Sequence, residues 1–290
     1  MRLLSDKPSS DIIGPAELLE QAVAAVDGGD KSEAAKLFNT AGNIYMSVTE
    51  FQEAANSFER SLEIYQGLKD ESGIADAMYN LGVAQINLEQ WDAAIKACEA
   101  SMKIFEKADN KDGTADAMYG LALARLGLGN FDDAMDYFKK ARRVYKAVGN
   151  DQAVAVTLMD IGTAQADKED LEAASKTFTK ALKLYKDLDD ITGIGTAHSL
   201  LGDIAELRNN QKKAAEHFVN AAQCYLDAKI FDIAREVVER AEAKMWDVPK
   251  ATRRRLRRVI DDIKDALPEE TEEIPDDDDL LDVPDLESAT

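Results

Sequence analysis

Residues 75–79 and 115–119 both read ADAMY, forty residues apart. Written in rows of forty, the chain shows that this pair belongs to a grid. One column runs Gly42, Gly82, Ala122, Gly162, Gly202, and the column twelve residues on runs Ala54, Ala94, Ala134, Ala174, Ala214. Next come Phe58, Cys98, Phe138, Phe178, Phe218; then Ser61, Ser101, Ala141, Ala181, Ala221; then Tyr65, Phe105, Tyr145, Tyr185, Tyr225. A fixed period of this length marks stacked helical or strand units, none of which buries its apolar face alone. The steps of 4, 3 and 4 along Ala54, Phe58, Ser61 and Tyr65 keep to one face of a helix. The Gly column falls on a preceding helix. The expectation is small-against-small contact within each helix pair, with aromatics filling the gap to the next pair.

Punctuation supports the helical reading. Polar dipeptides at 49–50, 89–90, 129–130, 169–170 and 209–210 divide each row. Between rows, KDESG, NKDGT, GNDQA and DDITG offer Asp or Asn as helix N-caps. The prolines are Pro8, Pro15, Pro249, Pro268, Pro275 and Pro284, so none falls between 16 and 248. Proline inside a helix costs ~3 kcal/mol or more, which an unbroken helical array must avoid. The predicted architecture is an all-α solenoid of antiparallel pairs, with about thirteen helices. A capping helix covers 15–26, five repeats cover 31–227, and a degenerate sixth pair covers 231–266. Asp30 with Glu33 suits a capping box, and Leu256, Val259, Ile260, Ile263 and Leu267 form a stripe that closes the end of the core. Residues 1–14 are expected to be flexible, and 268–290 to form a disordered acidic tail.

Charge narrows the function. Thirty-five Lys and Arg against 56 Asp and Glu give a net −21, which repels nucleic-acid backbones and anionic membranes. No stretch approaches the ~20 apolar residues of a membrane span. Two cysteines, Cys98 and Cys224, make no disulfide framework, so a reducing, cytoplasmic setting is expected. No catalytic constellation, metal-ligand spacing or phosphate loop is present, so neither an enzyme nor a cofactor site is expected. His198 and His217 are expected as surface or groove polar residues, and Cys98, in the aromatic column, as a buried thiol.

The columns resemble those of the tetratricopeptide repeat over roughly 30–247. The match rests on Leu81-Gly82 and Leu201-Gly202, on Tyr45, and on the Ala, Phe and Ala columns. The forty-residue period departs from the usual 34-residue unit. The D-x-x-G-x-A-x-A entry, as in Asp70–Ala77, is similar to the long-repeat branch that includes spindle-orientation adaptors, kinesin light chains and bacterial peptide-sensing regulators. The proline that usually follows the second helix is absent. The resemblance implies a right-handed superhelix whose first helices line a concave, peptide-binding groove.

Counted from the Gly column, the groove stripe carries Asn39 and Asn43, then Asp76, Tyr79, Val83 and Ile86, then Asp116, Tyr119, Leu123 and Leu126, then Met159. The ADAMY copies thus offer the same acid-plus-aromatic pair twice over an apolar floor. Aromatic anchors in a concave patch suit an interface hot spot, although packing between first helices would also use these tyrosines. Asn39, Asn43 and Asn80 can each donate and accept to an extended peptide. The lysine and arginine clamp of chaperone-tail relatives is not expected, because Asn39, Asp116 and Gly120 occupy its basic positions. With Asp76, Asp116, Asp203 and Glu206 setting the sign, the implied partner is a protein or peptide that is apolar with basic residues. Its identity and the oligomeric state stay open.

Two further segments stand out. RRRLRR at 253–258 reads either as a patch for nucleic acid or an acidic partner or, the favoured reading, as a run satisfied by Arg257–Asp261 and Arg258–Asp262 pairs one turn apart. The tail is therefore expected to stay mostly free, docking at most transiently on these arginines and available to a basic partner in trans, either solubilising the chain or presenting Leu280, Leu281, Val283 and Leu286 as a docking motif. The leading reading is a non-catalytic interaction scaffold. The alternative is a vesicle-fusion-type adaptor whose acidic tail engages an ATPase.

Overall fold

The computed structural model describes residues 14–268. They form α1 (Pro15–Asp27), α2 (Lys31–Ser47), α3 (Phe51–Leu68), α4 (Glu71–Asn87), α5 (Trp91–Lys107), α6 (Lys111–Gly127) and α7 (Phe131–Val148). The array continues with α8 (Asp151–Asp167), α9 (Leu171–Asp187), α10 (Ile191–Leu207), α11 (Gln211–Asp227) and α12 (Phe231–Ala243), then a 3-10 turn, Met245–Asp247, and α13 (Lys250–Ala266). Each helix from α1 to α12 packs on the next, which makes an α-solenoid. Helix α2 also packs on α4 and α4 on α6, so the first helices of the first three pairs lie against one another on the inside of the array. No helix among the described residues is long and apolar enough to cross a membrane.

One turn design recurs along the array. The residue before each N-cap is left-handed at 29, 49, 69, 89, 109, 129, 149, 169, 189, 209 and 229. The next amide returns to a carbonyl five residues back, as Glu50 does to Tyr45 at 2.9 Å and Gln90 does to Gln85 at 2.8 Å. This closes the orphan carbonyls of the preceding helix. The expected caps hold. Asp70 accepts from the Gly73 amide at 3.1 Å, Asn110 from Gly113 and Asn150 from Ala153 at 3.0 Å, and Asp190 from Gly193 at 2.8 Å. Asp30 accepts from Glu33 at 3.1 Å.

The core corrects one expectation. At Gly42, Gly162 and Gly202 the Gly column makes room for the Phe column, and only at Gly82 does it also approach the Ala column, at the Ala94 carbonyl. A Cβ placed on Gly42, Gly162 or Gly202 would lie 2.5 Å from the ring of Phe58, Phe178 or Phe218, on the second helix of the same pair. A methyl group there would have to displace a buried ring. In the second row Cys98 stands in for phenylalanine, and its Sγ would lie 2.7 Å from a Cβ on Gly82 and 2.9 Å from one on Gly120. The last aromatic column does fill the gap to the next pair, since Tyr65, Phe105 and Tyr185 press on Gly73, Gly113 and Gly193. Ser61 and Ser101 donate to the carbonyls of Ala35 and Ala75, each at 2.8 Å, and fasten second helix to first. At the C-terminal end Leu256, Ile260 and Ile263 are buried with Val237 and Val238, but α13 lies on α11 and so departs from simple pair geometry.

Candidate functional site

The predicted groove residues lie on consecutive inner helices: Asn39 and Asn43 on α2, Asp76 to Ile86 on α4, Asp116 to Leu126 on α6, and Met159 on α8. Asn43 and Asp76 are exposed, whereas Tyr79, Val83, Ile86, Tyr119, Leu123 and Leu126 are half-buried and Met159 is buried. Asn80 and Asn39 are engaged with each other, Asn80 Nδ2 donating to Asn39 Oδ1 at 3.0 Å across adjacent rows.

The two ADAMY copies have different surroundings. In the second, the Tyr145 hydroxyl donates to Asp116 Oδ1 at 2.6 Å, and the Tyr119 hydroxyl donates to Asp160 Oδ2 at 2.6 Å. Tyr119 also sets its ring edge against Phe138, with centroids 5.8 Å apart. Burial raises the carboxyls of Asp116 and Asp160 above the usual range, and the tyrosine hydrogen bonds oppose that rise. Burial and the neighbouring carboxylates raise Tyr119 and Tyr145 far above an ordinary phenol. In the first copy, the residue corresponding to Tyr145 is Phe105, which has no hydroxyl, and the residue corresponding to Asp160 is Gly120, which has no carboxylate. Asp76 and the Tyr79 hydroxyl accordingly make no hydrogen bond among the described residues. Burial and, less strongly, Asp70 raise the Asp76 carboxyl, while burial raises the Tyr79 phenol further.

Other features of the structure differ from the sequence expectation. Asp203 and Glu206 do not leave the far end of the groove acidic, because Arg240 and Lys244 reach from the α12 end of the chain and pair with them. His198 is not a surface residue. It is buried, and its Nδ1 lies 3.0 Å from Nδ1 of His217. Burial and the mutual repulsion of the rings push His198 down to about 4, and burial lowers His217 too. Cys98 is buried, with its thiol pushed up to about 12 by desolvation. No group of three or more metal-ligating side chains occurs among the described residues. The expected Arg257–Asp261 and Arg258–Asp262 pairs do not form. Arg255 bridges to Glu216 at 3.0 Å and Arg253 caps the Val248 and Trp246 carbonyls, while Arg254, Arg257 and Arg258 are exposed without an ion pair among the described residues. Leu280, Leu281, Val283 and Leu286 lie outside the described residues.

The tetratricopeptide-repeat family matches at residues 41–72, 73–147 and 155–188. The chain is a tetratricopeptide-repeat protein. No curated protein matches it by sequence. Among solved structures, BtubC (BKLC) from P. vanneervenii is 18% identical over 79% of this chain and 87% of its own, with a TM-score of 0.53. A Rap protein complexed with Competence and Sporulation Factor is 11% identical over 89% of this chain and 78% of its own, with a TM-score of 0.54. A signal-transduction ATPase with a tetratricopeptide-repeat sensor from Pyrococcus horikoshii is 16% identical over 87% of this chain and 43% of its own, with a TM-score of 0.58. At these identities the likeness concerns the fold. Tetratricopeptide repeats generally serve as non-catalytic scaffolds for protein–protein interaction.

Proposed function

We propose that this tetratricopeptide-repeat protein is a non-catalytic scaffold that takes a peptide segment or protein surface into its groove, centred on α2, α4 and α6. The observation that carries the reading is the open first ADAMY copy, where a carboxylate (Asp76) and a phenol (Tyr79) have no intramolecular partner. Val83 and Ile86 lie one and two turns along the same helix and supply the apolar floor. Asn43 adds an exposed amide on α2. The bound segment carries a lysine or arginine for Asp76, a hydrogen-bonding group for Tyr79, and aliphatic residues beside them. The far end contributes less charge, because Asp203 and Glu206 are already neutralised. A Rap protein of similar fold is complexed with Competence and Sporulation Factor, which supports a partner-binding role by analogy alone.

A displayed random-peptide library panned on the immobilised full chain tests this. Enriched peptides should pair a basic residue with aliphatic neighbours and should bind Asp76→Asn/Tyr79→Phe at least tenfold more weakly. Peptides that bind both proteins equally would place recognition elsewhere.

A further inference from the structure

Helix α13 carries seven bases and three acids, arranged against its own stability. Its first turn holds no acid and its N-cap, Pro249, makes no side-chain cap. The arginines cluster in the N-terminal half, where the helix dipole is positive, and Asp261, Asp262 and Asp265 lie in the C-terminal half, where it is negative. Arg254, Arg257 and Arg258 have no ion pair among the described residues. In the 3-10 turn just before the helix, Trp246 is 72% exposed, and its carbonyl is held by Arg253 at 2.8 Å. An exposed indole at the entry to a helix that carries unpaired guanidinium groups is a surface for a ligand both acidic and aliphatic.

The chain itself contains such a ligand. Beyond Pro268 the sequence has eleven acids and no base, and DDDDLLDVPDLE sets Leu280 and Leu281 directly after Asp276 to Asp279. We propose that this segment docks in cis on the N-terminal half of α13, with Asp276–Asp279 on Arg254, Arg257 and Arg258 and with Leu280 and Leu281 against Trp246.

The lengths allow it. From Arg254 to Ala266 the helix rises about 18 Å at 1.5 Å per residue. Starting from Pro268, whose carbonyl is held by Arg235 of α12, an extended chain reaches about 26 Å by Asp276 and about 40 Å by Leu280. The segment can therefore double back along the helix, past Asp261, Asp262 and Asp265. A second basic surface exists on α7 and α9, where Lys140, Arg143 and Lys146 align with Lys180, Lys183 and Lys186. It is the poorer match, because reaching past α11 closes a longer loop. It is also mostly lysine, which lacks the bidentate geometry that arginine offers a carboxylate. Tethering keeps the local concentration high and the contact independent of protein concentration.

Trp246 reports on the contact directly. In full-length Trp91→Phe, whose remaining tryptophan is Trp246, emission should shift to the red between 0.05 and 0.5 M salt as the segment is released. The shift should be independent of protein concentration. It should be lost in Arg254→Gln/Arg257→Gln/Arg258→Gln and in Leu280→Ser/Leu281→Ser, both of which should already emit at the red, high-salt position. Backbone amide shifts of α13 in the intact chain should move on Asp276→Asn through Asp279→Asn and be restored by none of the neutral variants. Emission that ignores salt and all three sets of substitutions overturns the proposal. So do amide shifts that move on α7 and α9 in place of α13. A red shift that depends on protein concentration moves the contact to a second copy and refutes docking in cis.

Discussion

In the second ADAMY copy both polar side chains of the groove stripe are hydrogen-bonded within the protein: Asp116 to Tyr145, and Tyr119 to Asp160. In the first copy the same letters face Phe105 and Gly120 positions in the grid, and Asp76 and Tyr79 are left open. The difference starts in the core. Cys98 replaces the phenylalanine of its column, and its sulfur lies close to where a Cβ on Gly120 would stand. Gly120 in turn removes the acceptor that Tyr79 would otherwise have. Identical local sequence therefore yields one structural and one available surface, and the choice is made by residues twenty-nine and forty-one positions downstream.

The most disruptive way to break this asymmetry is to give Tyr79 its missing acceptor. Gly120→Asp would set a Cβ 2.9 Å from Cys98 Sγ and bury a carboxyl. We expect a loss of roughly 3 kcal/mol in denaturant unfolding. Cys98→Ala in the same chain should recover part of that loss, and an additive result would show that the sulfur is not what excludes a side chain at 120.

Next in size is the reverse change, opening the closed copy. Tyr145→Phe leaves Asp116 without its donor and should cost about 2 kcal/mol, as hydrogen bonds to charged groups do. Asp76→Asn, which breaks no bond, should stay within about 0.5 kcal/mol of the parent. Similar costs at the two positions would mean that the copies are equivalent after all.

A smaller and opposite effect is expected from closing the open copy. Phe105→Tyr places a hydroxyl where Tyr145 has one, and should stabilise the array by about 1 kcal/mol while weakening peptide capture. Stabilisation without any loss of binding would remove Asp76 from the interface.

The smallest effect is electrostatic. Burial raises the Asp160 carboxyl and the Tyr119 bond lowers it, so Tyr119→Phe should move its titration further upward. Because the folded value lies above the unfolded one, Asp160 favours the fold most at low pH, below its unfolded value. That contribution disappears as pH rises through the folded value. Carboxyl carbon shifts followed against pH in both proteins would show the change, and a downward move would contradict the assignment of Tyr119 as donor.

The repeat register, the caps and the proline-free helical span were all legible in the sequence, because each depends on residues within one turn or at a fixed period. Periodicity also placed Asp76, Tyr79, Asp116 and Tyr119 on one face of the first helix of their pairs, and the family resemblance made those helices the inner ones. Periodicity could not choose their partners, since Tyr119 and Asp160 meet across forty-one residues and only the packed rows bring them together. The same limit applies to Arg240 with Asp203, Lys244 with Glu206, and His198 with His217. The Gly column misled for a related reason. A run of small residues announces a close approach without saying whether a second small residue or a ring occupies the space, and Phe58, Phe178 and Phe218 occupy it here. The arginines of α13 showed the opposite error, where a favourable spacing did not produce a pair.

The left-handed residue that precedes each N-cap recurs every twenty positions, so each helix-plus-turn is a complete module with a fixed exit direction. Duplicating forty residues would add a rung and leave every downstream side chain on its original side. Duplicating twenty would keep each turn sound yet invert the remainder, putting former inner helices outside and former outer helices inside. The geometry of the joints therefore restricts growth of this array to even numbers of modules, and a groove lengthened in that way keeps a continuous lining.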